Sequence, residues 1–324
     1  MAEWLHEEGI GEERAILVEN GDIVEAIIEL PTPLRAGAVL PARLTRILVP
    51  GRRGVAALDD GAELLIEPLP AGLTEGAAFR AEIVREPIPE AGRCKLAKAR
   101  ATDEGARPGQ TLADRLGIAA GRPPMHDPFE EAGWSELLDQ AATGEIPFAG
   151  GALRMSLTPA MTLFDVDGSL PPAELALAGA EAAAGAIRRF GIGGSIGVDL
   201  PTIGDRGVRQ AAAAALDRIL PQPFERTAVN GFGFLQIVRR RLRPSIPEIV
   251  QGDPIGAAAR ALLRRGQRTA RGPLVLQAAP AVIERIRGQA GWIATLERQA
   301  GGAVALQAEP GLAISAGHVH HPQG

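Results

Sequence analysis

Tyrosine is absent from this 324-residue chain, and three Trp and eight Phe supply all its aromatic rings. Aliphatic packing must therefore carry the core, and a nucleic-acid platform built from several stacked rings is poorly supplied. A single cysteine, Cys94, excludes an intramolecular disulfide and any zinc site made from cysteines. Lysine is nearly missing: Lys95 and Lys98 are the only two, so arginine supplies almost all of the basic charge. Every apolar run is broken by Gly, Pro or Arg before the roughly 20 residues that a membrane span needs. The N-terminal stretch also lacks the basic, apolar, small-residue order of a signal peptide, so a cytoplasmic protein with no membrane contact is expected. What is present, 46% hydrophobic and 23% charged residues, is enough for two or three modest globular domains.

The net charge of −5 argues against a nucleic-acid binder, yet it is unevenly spread. Residues 1–31 carry nine acids and one arginine, whereas 239–271 carry nine arginines against Glu248 and Asp253. Such a basic stretch suits either a phosphate-tracking face or an ordinary solvated helix surface.

Punctuation divides the chain. Asn20-Gly21-Asp22 between the β-branched runs Arg14–Glu19 and Ile23–Leu30 predicts a hairpin. From Val39 to Ala99, short strands separated by Pro50-Gly51, Asp60-Gly61, Pro70–Gly72 and Glu90–Gly92 suit a small barrel of the OB type. Thr102–Asp127, rich in Gly, Pro and charge, is read as a connector with a short helix at Thr111–Leu116. The pattern then becomes α/β. A helix is expected from Pro128 and Glu130 to Ala142, followed by strands at Ala152–Leu157 and Met161–Asp165 and a helix from Pro172 to Phe190. Next come a strand at Ser195–Asp199, a helix from Asp205 to Leu220 and strands near Arg226–Val229 and Phe234–Arg239. A last helix–strand–helix–strand unit closes the chain.

The sharpest chemical feature is Thr162-Leu163-Phe164-Asp165-Val166-Asp167-Gly168. Side chains alternate along a strand, so Asp165 and Asp167 share a side, and hard carboxylate oxygens at a strand end suit Mg²⁺. Asp199 ends a second apolar strand 34 residues after Asp165, with one helix between. That crossover length makes the strands parallel near neighbours, with both acids at the carboxyl end of one sheet, where α/β crevices form. The other reading makes Asp165 and Asp199 helix caps or loop residues. Leu163–Leu170 alone resembles the first motif of haloacid-dehalogenase-type phosphatases. In that case Asp165 would be the nucleophile and Asp167 a general acid/base, but the chain has no lysine after Lys98 to neutralise a phosphorylated intermediate.

A second resemblance spans nearly the whole chain. Gly150-Gly151, Thr158, Thr162–Asp165 and Gly197-Val198-Asp199-Leu200, with Asn230-Gly231-Phe232-Gly233-Phe234-Leu235 running on to Arg239-Arg240-Arg241-Leu242-Arg243-Pro244-Ser245, resemble the bacterial ribonuclease E/G family. The resemblance implies an α/β (α+β, multidomain) protein in which an OB-type barrel is inserted in a ribonuclease-H-like/DNase-I-like core. The expected divisions are an N-terminal hairpin belonging to the core (1–36), the barrel (37–102), a connector (103–129), the catalytic core (130–250) and a small C-terminal α/β unit (251–324). The implied activity is endonucleolytic hydrolysis of single-stranded RNA with Mg²⁺, or Mn²⁺ as the alternative, held by Asp165 and Asp199. Asp167 would join the catalytic set, and Arg93, Arg239, Arg241 and Arg243 would contact RNA.

Departures from the family are equally specific. Asp167 stands where the family has Asn, so a donor becomes an acceptor with added negative charge. The 5′-monophosphate sensor has no counterpart in the connector. No cysteine lies in 246–254 to share zinc between subunits, so any oligomer would form without a zinc link. The ring positions of the barrel are replaced at Ala57 and Glu67, and Thr202 stands where a further acid is common. These losses leave an RNA-binding or regulatory homologue with weak or lost nuclease activity as the alternative, with the phosphatase a second one. His318, His320 and His321 are read as a strand end and tail, and Cys94 as a small core residue.

Overall fold

The computed structural model describes residues 2–90, 92–119 and 126–322. Residues 120–125 of the expected connector and Ala91 of the expected Glu90–Gly92 turn lie outside the described residues. The chain opens with three antiparallel strands, β1 (Glu3–Gly9), β2 (Glu12–Glu19) and β3 (Asp22–Glu29). The β2–β3 hairpin forms where expected: Glu19 pairs with Asp22, and Asn20 (φ 55°) and Gly21 (φ 93°) adopt the left-handed conformations that a tight two-residue turn requires. Strand β1 is an addition, its charged sequence giving no clear alternation.

Strands β4 (Val39–Val49), β5 (Arg53–Ala57), β6 (Glu63–Ile66) and β7 (Ala78–Arg85) close into a barrel with β10 (Ala97–Thr102). Its circular order is β4-β5-β6-β10-β7, with β6 and β10 parallel and the other neighbours antiparallel. Leu44, Leu64, Ile66, Ala81 and Ile83 are among the aliphatic residues that fill it. The run Arg93–Ala99 is not one strand. It breaks at Leu96, and β8 (Ile88–Glu90) with β9 (Arg93–Lys95) forms a small hairpin outside the barrel. Cys94 is therefore exposed instead of buried, standing opposite Pro89 in a hairpin outside the barrel.

Helix α1 (Leu112–Leu116) forms where a short helix is expected and begins at a Thr111/Asp114 capping box. One expected helix becomes two, α2 (Pro128–Glu131) and α3 (Trp134–Thr143), because Gly133 between them takes φ 92°. The central unit follows: β11 (Glu145–Phe148), β12 (Gly151–Leu157), β13 (Thr162–Gly168), α4 (Pro172–Arg189), β14 (Gly194–Asp199), α5 (Arg206–Ile219), β15 (Phe224–Arg226) and β16 (Phe234–Arg239). They form a six-stranded sheet, β11-β12-β13-β14-β16-β15, in which only β13 and β14 are parallel. Phe164, Val166, Ile196 and Val198 are buried in one core with the alanines of α4. Small residues allow that approach: a Cβ on Gly179 would overlap the Val166 side chain.

Helices α6 (Ile246–Gly252) and α7 (Pro254–Arg268) lead to β17 (Leu274–Ala278), α8 (Pro280–Arg287), α9 (Trp292–Ala300), β18 (Val304–Ala308) and β19 (His318–His320), with sheet order β18-β17-β19. Their separate core of Leu262, Leu263, Leu276, Ile283 and Leu296 also takes in Ile10 from the β1–β2 turn. Buried ion pairs reinforce that junction. Glu12 binds Arg260 at 3.1 Å and also Arg264, and Glu7 binds Arg14 at 3.0 Å and also Arg268. Acids of residues 1–31 thus neutralise arginines of 239–271. Among the described residues no helix is long and apolar enough to cross a membrane.

Candidate metal centre on the open sheet face

Alternation along β13 buries Phe164 and Val166 and turns Leu163, Asp165 and Asp167 to the opposite side. In β14, Ile196 and Val198 are buried and Asp199 is exposed. Register pairs Asp165 with Asp199 across the parallel strands, so both carboxylates leave one face from strands about 4.8 Å apart. Gly197 makes room beside them. A Cβ there would come within 2.7 Å of Phe234 Cζ and 2.9 Å of Leu163 Cδ2, so these two side chains form an apolar floor next to the acids.

Burial, and after it the charge of Asp165, pushes the Asp199 carboxyl above its ordinary value. Two like charges side by side, with hard oxygen donors and an open approach, fit a divalent cation of the Mg²⁺ kind, which takes one or two carboxylates and completes its shell with water and phosphate. Among the described residues no group of three or more His, Cys, Asp or Glu is gathered as a metal site, and the candidate rests on the register pair Asp165 and Asp199. Arg154 Nη1 lies 3.3 Å from Asp167 Oδ2, and Arg154 Nε lies 3.6 Å from Glu145 Oε1. Arg154 is also the cross-strand partner of Asp165. Sequence reasoning passed over it, although its alternation with Leu153 and Met155 marks the exposed side of β12.

The expected row of arginines is not one face. β16 ends at Arg239, because Ser245 and Glu248 form the capping box that starts α6 and the intervening chain leaves the sheet. Arg239 pairs in register with Gly194, at the end of β14 opposite Asp199 and about 17 Å from it. Its guanidinium donates to Ile192 O at 3.2 Å, and burial lowers its pKa. Arg241 binds Glu248. Arg243 lies 3.8 Å from Glu29, with burial and the Arg115 charge lowering its pKa. Arg93 is different: it is 69% exposed, pairs with Glu90 at 2.9 Å, and shares a pocket of about 340 Å³ with Thr158, Ser195 and Arg241. That pocket lies at the amino ends of β13 and β14, away from the acids.

The barrel positions Ala57 and Glu67 carry no aromatic ring. Glu67 accepts from Arg53 at 3.0 Å and lies 2.9 Å from Lys98, and hydrogen bonds from Lys98 and Arg53 hold its carboxyl below the ordinary value. His318 and His320 belong to β19 and pair with β17, with their rings 5.8 Å apart, and His321 Nδ1 lies 2.9 Å from Pro273 O. A roomier cleft of about 890 Å³ lies between α3 and α7, bordered by Leu138, Ala142, Ala258, Ala261 and Arg264, and includes none of the sequence-predicted site residues. Comparison with protein-family models and with curated proteins returns no match for the chain.

Proposed function

We propose that the chain is a divalent-metal-dependent endoribonuclease of the ribonuclease E/G type that cleaves single-stranded RNA in the cytoplasm. The observation that carries this reading is the register pairing of Asp165 with Asp199 on the exposed face of the sheet. Supporting it, the barrel order, with one parallel pair closing an otherwise antiparallel barrel, suits the OB type. The mixed sheet, helical on one face, suits a ribonuclease-H-like or DNase-I-like core with the small C-terminal unit packed beyond it.

Asp165 and Asp199 would hold Mg²⁺ or Mn²⁺, which when bound lowers the pKa of water and stabilises charge building on a scissile phosphate. The chain's own part is positioning. With Asp165, Asp167, Asp199 and Glu145 on it, the face is acidic and repels phosphate until the carboxylate pair is neutralised. Arg154, tied to Asp167 and Glu145, is the cation on this face next to Asp165 and is placed to orient a phosphate. Asp167, 3.3 Å from Arg154, attracts that guanidinium toward Asp165 instead of donating as the family's Asn does. Arg93, at the far end of the strands, would hold a more distant phosphate and contribute affinity, not chemistry.

Purified protein with Mg²⁺ should cleave an unstructured RNA, leaving 5′-phosphates, and Asp199→Ala should lose at least about 100-fold in rate. Equal cleavage by the variant would remove the metal assignment. Retained RNA binding without cleavage under Mg²⁺ or Mn²⁺ would leave a binding protein, and a fluoroberyllate adduct trapped at Asp165 would leave a phosphatase.

A further inference from the structure

In a chain with so few rings, Phe232 is 81% exposed, while Phe129, Trp134, Phe164 and Phe190 are fully buried. It is not a loose loop residue. Asn230 Oδ1 accepts from the backbone N–H of Phe232 at 2.9 Å and of Phe234 at 3.0 Å, and Asn230 N–H donates to Phe234 O at 3.0 Å. The loop is fastened to the segment that follows Asp199: Leu200 N–H donates to Gly233 O at 3.2 Å, and Thr202 Oγ1 donates to Phe232 O at 3.3 Å. Gly233 takes φ +94°, and a Cβ on it would overlap the Leu200 carbonyl oxygen, so only glycine seats the loop this closely. Phe234, two residues on, is the register partner of Asp199. The fold therefore fixes the backbone that carries an uncovered ring at the carboxylate end of the sheet.

We propose that Phe232 is the platform on which an unpaired nucleobase next to the scissile phosphate stacks, a reading that rests on the nuclease proposal. Its immediate neighbours are Asn230, Gly231 and Gly233. Phe232 with the half-buried Leu163 and Phe234 exposes far less than the order of 800 Å² per partner that a protein interface needs. It matches the flat face that every base presents, and stacking of this kind tolerates sequence. Bases inside a duplex are already stacked, so the site selects single strands. Rings lost from the barrel at Ala57 and Glu67 would thus be replaced by one ring beside the metal ligands. Because the loop is ordered before RNA arrives, little conformational freedom is lost on binding.

The test uses the full chain carrying Asp199→Asn, a short single-stranded RNA with 2-aminopurine at one position in turn, and Mg²⁺. Stacking quenches 2-aminopurine fluorescence. At one position quenching should be strong with Phe232 and with Phe232→Trp and absent with Phe232→Leu, which keeps an apolar side chain without the ring. Phe232→Leu should also weaken RNA binding about 5- to 100-fold at unchanged thermal stability. In the otherwise native protein the same substitution should raise KM more than it lowers kcat. Equal quenching and affinity for Phe232 and Leu would overturn the proposal, as would dissociation of an oligomer by Phe232→Leu without effect on RNA. If the native protein cleaves RNA yet Phe232→Leu behaves identically, the stack fails and the nuclease stands. If ring-dependent quenching occurs in a protein that never cleaves, the nuclease reading is overturned and Phe232 is a base-binding ring of an RNA-binding protein.

Discussion

Asp199 shows how one residue can be unfavourable for the fold and useful for a site. Burial and the charge of Asp165 raise its pKa, so its protonated form is the one the folded state favours. The stabilisation this provides is present below the ordinary carboxylate value and is lost as pH rises through the raised one. Asp199→Asn should therefore melt at higher temperature than the native protein at pH 7 in EDTA, and the difference should shrink as pH falls through the raised value and vanish below the ordinary one. Adding Mg²⁺ should raise the melting temperature of the native protein and leave that of Asp199→Asn unmoved, since a ligand stabilises only a state that binds it. A thermal shift series in pH and Mg²⁺ reads both, and equal Mg²⁺ responses would remove the carboxylate pair as the metal site. At this scale the acids were legible, because alternation along a β-strand is a local property. Arg154 and Phe232 were harder to see: their exposure follows from which face the helices leave uncovered.

Elements formed mostly where Gly, Pro, Asn and capping residues punctuate the chain. The β2–β3 hairpin, α1, α4 and β14 follow their local signals closely. The departures have identifiable causes: Gly133 divides a helix, Leu96 interrupts a strand, and the capping box of Ser245 and Glu248 draws the chain off β16. Helix α4 meets the sheet through Gly179, where a larger side chain has no room beside Val166. Gly179→Val should lower stability by about 2 kcal/mol, the scale of overpacking in a close-packed core. Because α4 joins β13 to β14, it should also loosen the register of Asp165 and Asp199. Urea unfolding checks the first effect and Mg²⁺ affinity the second. Unchanged stability would mean that α4 can move away from the sheet without loss.

Across the whole molecule, the N-terminal strands and helix α7 meet through charge. Burial alone would raise the Glu12 carboxyl, but the guanidiniums of Arg264, Arg260 and Arg14 hold it below the ordinary value. Glu12 therefore stabilises the fold above its unfolded pKa, and that contribution is lost as pH falls through the lowered one. Arg14, stacked 4.1 Å from the centre of the Phe129 ring, has its pKa pushed down to about 10 by burial and by the Arg264 charge. Glu12→Gln should cost roughly 3–5 kcal/mol at neutral pH, because it strands two buried guanidiniums. Chemical denaturation at pH 7 measures this, and a loss under 1 kcal/mol would show that Arg260 and Arg264 find other partners. The same pairs decide what the basic stretch is for. Arg260, Arg264 and Arg268 are occupied within the fold and do not form a phosphate-tracking face.

The sequence by itself determined the punctuated order of strands and helices, the scarcity of rings and the spacing that turns Asp165 and Asp167 to one side of a strand. It also held the charge asymmetry in plain view, nine acids in the first 31 residues and nine arginines in 239–271. Only the tertiary structure decided that these two stretches neutralise each other, that the arginines after β16 lie at the opposite end of the sheet from the acids, and that Phe232 stays uncovered. The physical reason is range. Strand alternation and capping act over a few residues, whereas a guanidinium faces water or a carboxylate according to contacts such as Arg260 with Glu12, 248 residues apart in the chain.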